Sequence, residues 1–76
     1  MSKVGKIVTY NTTKEQMEAM KTLGCNPQEQ LPATVVAEHD PEDKKSLVNL
    51  KVHIDGPLPD MWVTSVPHGK EVNNWH

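Results

Sequence analysis

Leu47 to Gly69, LVNLKVHIDGPLPDMWVTSVPHG, is the stretch whose reading decides the fold. Val48, Leu50, Val52 and Ile54 share one parity, while Asn49, Lys51 and His53 take the other. A period of two is that of a strand with one buried and one wet face. Asp55-Gly56 opens a connection in which Pro57 and Pro59 cannot join a hydrogen-bonded ladder. Met61-Trp62-Val63-Thr64-Ser65-Val66 is rich in aromatic and β-branched residues and closes at Pro67, so it reads as a second strand. Its faces can be assigned two ways. With Met61 and Val63 in the core, Trp62 projects outward; the reverse buries Trp62 with Thr64 and Val66.

Upstream, Lys3 to Tyr10 reads as a first strand, with Gly5 marking a bend or a close backbone approach. Asn11-Thr12-Thr13 supplies helix N-caps, and Thr12 with Glu15 or Thr13 with Gln16 has the capping-box spacing. Met17, Met20 and Leu23 lie along one face of a helix over 13–23, and Gly24 suits the position after its end. Cys25 to Gln30 is a polar loop. Residues 32–39 form a further strand with Ala33, Val35 and Ala37 facing inward, and Asp40 to Lys45 is a charged turn into the strand at 46–55. Four strands (3–10, 32–39, 46–55, 61–66) and one short helix predict a mainly β fold with a core that includes Val8, Val35, Leu50, Val52, Ile54 and Val63. A small SH3-like barrel or a strongly bent antiparallel sheet meets this pattern, and we favour the barrel because closure hides strand edges. A flat sheet with the helix across one face is the competing architecture. Residues 1–76 read as a single domain, with 69–76 a polar C-terminal tail.

The chain has 76 residues, 36% of them apolar, and a single cysteine, Cys25. No internal disulfide and no zinc-type Cys/His spacing is available, so association with another chain or with copies of itself is the expected source of added stability. Eight lysines, no arginine and ten acidic residues leave a net charge of -2, which argues against nucleic-acid binding. The start lacks the apolar region of a signal peptide and no run reaches membrane-spanning length, so neither export nor a membrane is expected.

Candidate chemistry is sparse. His39, His53, His68 and His76 sit in separate segments without paired spacing and read as surface histidines. Cys25 follows a helix C-terminus, where the dipole disfavours a thiolate. Asp55 and Asp60 flank a Gly/Pro connection and more often shape turns than act as an acid–base pair. Neither a phosphate loop nor a nucleophile elbow is present, so we expect no enzyme activity, no metal and no cofactor. The candidate partner-binding residues are Trp62 on its strand and Val72, Trp75 and His76 on the tail, since a large aromatic on a polar tail contributes little unless it docks; Trp75 is either tucked back over the barrel as a plug or offered to a partner.

KVGKIVTY, LPATVV, VNLKVHIDG, MWVTSVPHG and the closing NNWH together resemble a family of small proteins of tailed bacteriophages. The resemblance covers most of the chain. The departures are Asp40 to Lys45 and the ending at Trp75-His76, past which such chains often run on into Trp-Pro. It implies a non-enzymatic virion protein made in the bacterial host cytoplasm, head-decorating, head-stabilising or part of the tail. Its partners would be other virion proteins, such as the major capsid protein, or copies of itself in a homo-oligomeric or multi-copy arrangement. The alternative is a phage-encoded binding module that inhibits or redirects a host protein.

Overall fold

The computed structural model describes residues 3–40, 42, 47–56 and 59–76. The elements are β1 (Ile7–Asn11), α1 (Lys14–Thr22), β2 (Gln30–Glu38), β3 (Val48–Val52) and β4 (Met61–Val66). The strands form one antiparallel sheet in the order β1-β2-β3-β4. The fold is therefore mainly β with one short helix, and the sheet is open: β1 and β4 are its edges and no ladder joins them. Of the expected charged turn, Pro41 and residues 43–46 lie outside the described residues, as does Pro57.

β1 starts later than its apolar pattern suggests. Lys6 N–H donates to the Lys3 carbonyl at 3.0 Å, closing a turn at Val4-Gly5. The helix ends were legible in advance. Gln16 N–H donates to Thr13 Oγ1 (3.1 Å) and Thr13 N–H donates to Gln16 Oε1 (2.8 Å), the reciprocal capping box. At the other end Gly24 takes φ +84°, Cys25 N–H donates to the Met20 carbonyl (2.8 Å) and Gly24 N–H to that of Lys21 (3.2 Å). That pair of bonds is a Schellman motif, and the left-handed residue in it is least strained as glycine. Met20 is buried and Met17 half-buried, but Leu23, expected on the same face, is the C-cap and 58% exposed.

The core lies on one side of the sheet. Val35, Leu50 and Val52 are fully buried, joined by Tyr10, Val48 and Val66, while Val8, Ile54 and Val63 pack against them half-buried. Two irregularities bend the sheet. Val35 opposes Leu50 but Ala37 opposes Asn49, so β2 carries an extra residue at Val36. The slip leaves Ala37 half-buried rather than in the core and sets Glu38 opposite the buried Val48, where its side chain is 3% exposed and its Oε2 lies 3.3 Å from Lys3 Nζ. In β4, Val63 opposes Leu50 and Val66 opposes Val48, so Thr64 and Ser65 together face Asn49. Ser65 takes φ +53°, and its N–H is held by Asn49 Oδ1 at 3.0 Å. This bulge settles the faces of the strand: Met61, Val63 and Val66 all turn inward, and Trp62 turns out.

The tail takes one of the two places open to it. It is packed against its own chain, and Trp75 is only 6% exposed. Thr9 and His76 exchange N–H···O=C bonds at 2.9 Å, and Trp75 bridges both Tyr10 of β1 and His68 beyond β4. The indole of Trp75 meets the His68 ring edge-on at 4.6 Å, while its Nε1 is buried without an acceptor.

Candidate functional site on the outer sheet face

Register assembles the face away from the core. Ile7 opposes Thr34, Thr34 opposes Lys51 and Lys51 opposes Trp62, one row across all four strands. Its two ends are exposed apolar side chains, Ile7 at 65% and Trp62 at 62%, with the half-buried Thr34 and the exposed Lys51 between. Beside it runs a second row, because Thr9 opposes Pro32 and His53 N–H donates to the Pro32 carbonyl at 2.9 Å.

Between these rows the strands bring three polar side chains into line. Thr34 Oγ1 lies 2.9 Å from His53 Nε2, and His53 Nδ1 lies 3.0 Å from Asp60 Oδ2. With a neutral ring, the Nδ1 N–H donates to the Asp60 carboxylate and Nε2 accepts from the threonine hydroxyl. The order hydroxyl, imidazole, carboxylate is that of a nucleophile, its base and the group orienting the base. Acyl transfer also needs donors aimed at the developing oxyanion and a site shielded from water. The side chains of His53 and Asp60 are 40% and 45% exposed, so water competes for every bond in the group. The arrangement links the segment before β4 to β2. Thr34 and His53 could each be placed on the outer face from parity alone; their adjacency needed the register.

The sequence-predicted binding residues separate into different surroundings. Trp62 stands on the outer face. His76 is exposed and borders an open groove with Ile7, Thr9 and Pro32. Val72 is 67% exposed on a turn within the tail, beside a groove of about 310 Å³ shared with Met17 and Lys70. Trp75 belongs to the core and is closed to a partner while the tail is docked.

Cys25, read from the sequence as part of a polar loop, is 5% exposed. A Cβ on Gly56 would come 2.6 Å from its Sγ, so only glycine lets the β3–β4 connection approach so closely. Among the described residues, no three or more His, Cys, Asp or Glu side chains cluster as a metal site, and no helix is long and apolar enough to cross a membrane. No protein family matches the sequence, and no curated protein or solved structure matches it either.

Proposed function

We propose that the chain is a non-enzymatic binding protein, used as a small multi-copy subunit of a bacteriophage particle that decorates or stabilises the head. The observation that carries the binding reading is the outer-face row ended by Ile7 and Trp62, large apolar side chains left in water by a domain with little apolar material to spare. The phage setting rests on the sequence resemblance. An SH3-like closure belongs to the same proposal, with the tail completing the circuit from β4 round to β1; the bridges from Trp75 to Tyr10 and His68 support it. Quantitative mass spectrometry of purified particles tests the reading. Many copies per particle are expected, and a Trp62→Ala chain should be depleted from particles although folded. Absence from particles together with capture by a host protein would make it a host-directed module instead.

A further inference from the structure

The two edges of the sheet are treated differently. The outer edge of β1 is covered by the chain's own tail: besides the Thr9–His76 pair, Asn11 N–H donates to the Asn74 carbonyl (2.9 Å) and Asn73 N–H to that of Asn11 (2.7 Å). Among the described residues, the outer edge of β4 has no such cover. The His53 N–H to Pro32 bond sets the phase of the ladders: residues 51 and 53 turn their backbone groups to β2, so Leu50 and Val52 turn theirs to β4. Their partners Val63 and Met61 face back, which points the N–H and C=O of Trp62 and the N–H of Thr64 away from the sheet; the Ser65 N–H, held by Asn49, leaves the Thr64 carbonyl outward as well. Among the described residues, no backbone group bonds these outward pairs.

Edge strands are ordinarily blunted by lysine, proline or a bulge within the exposed stretch. β4 carries no charged residue and no proline, and its bulge begins only at Thr64, the last residue of the exposed stretch. Both of its faces are unfinished, with Met61 and Val63 half-buried on one side and Trp62 exposed on the other. An extended strand is the shape that satisfies such an edge. An uncharged strand meets no like-charge penalty against itself, and its outward groups at 62 and 64 are symmetric about Val63.

We infer that β4 pairs antiparallel with β4 of a second copy, about a two-fold axis at Val63, to make one sheet continuous across both copies. Trp62 then exchanges N–H···O=C bonds with the partner's Thr64, and Thr64 with the partner's Trp62. Val63 meets the partner's Val63 at the close, non-hydrogen-bonded position. The inference extends the binding reading by naming one partner as the chain itself, and it is tested in solution without particles, so the two fail separately.

Sedimentation equilibrium of the purified chain should show a dimer. Trp62→Lys/Thr64→Lys sets like charges opposite each other at exposed positions and should raise the dimer dissociation constant by roughly tenfold or more, with the far-UV spectrum kept. Trp62→Glu/Thr64→Glu should do the same. Mixing the two should restore a heterodimer, which a mere loss of folding would not. A wild-type chain that stays monomeric in the millimolar range, roughly the weak end of the affinity scale, overturns the inference. So does a lysine variant that dimerises like the wild type, or a mixture that stays monomeric.

Discussion

Tyr10 is the only tyrosine, fully buried, and its hydroxyl sits at a junction of three segments. Gln16 Nε2 donates to it at 3.0 Å and it donates to Asn73 Oδ1 at 2.7 Å, so the capping glutamine of α1 and the turn within the tail meet on one oxygen. Burial pushes its pKa above the ordinary 10.0, with the Gln16 hydrogen bond pulling the other way. Below about pH 10 neither folded nor unfolded chains ionise, so the contribution is intact there. Above it the unfolded chain loses its proton first, and stability falls as pH rises toward the folded midpoint. Tyrosinate absorbance near 295 nm therefore reports Tyr10 alone: the native midpoint should lie above that of the chain in denaturant. Equal midpoints would show the hydroxyl to be hydrated. His53 supplies a second residue-scale prediction. Solvent exposure of the Thr34–His53–Asp60 line leads us to expect that His53→Ala changes stability by only about 0–1 kcal/mol. An activated ester should be hydrolysed no faster by the wild type than by this variant. A wild-type rate that depends on His53 would reopen the catalytic reading.

At the scale of elements, what could be read in advance was what neighbours in sequence decide. The capping box at Thr13 and Gln16 and the glycine past the helix end are local patterns, and both formed where their spacing placed them. Thr13→Ala should lower stability by about 1 kcal/mol, and Gly24→Ala by a similar amount, since φ +84° strains any Cβ although space is open around it. Urea unfolding checks both. The bulges at Val36 and Ser65 were not legible, because a bulge is defined against the strand opposite. Strict alternation put Ala37 in the core and left Trp62 undecided. The side chain that settles β4 is Asn49, whose Oδ1 holds the extra residue from the neighbouring strand. The same limit hid the alignment of Thr34, His53 and Asp60.

For the whole molecule, the tail decides how much stability the chain has. Reading it as polar residues with one aromatic left Trp75 either a plug over the chain's own sheet or an anchor for a partner. In the structure the tail packs on its own sheet. Residues 73–76 cover the edge of β1, and Trp75 sits against Tyr10 and His68 on the path between the two sheet edges. A domain of this size commonly has only about 5 kcal/mol in hand. Trp75→Ala removes a buried aromatic, which typically lowers stability by about 3–5 kcal/mol, comparable to the whole margin. Leu50→Ala, at the centre of the sheet, should cost about 2–5 kcal/mol by the same cavity argument. Removing Asn73 to His76 takes the indole and the edge hydrogen bonds together, so the truncated chain should lose cooperative thermal unfolding altogether. Trp62→Ala, equally aromatic but exposed, should shift stability by no more than about 0.5 kcal/mol. The contrast makes the test sharp. A truncated chain that still melts cooperatively near the wild-type temperature would show that the tail rests on the sheet without supporting it, and Trp75 would again be available to a partner.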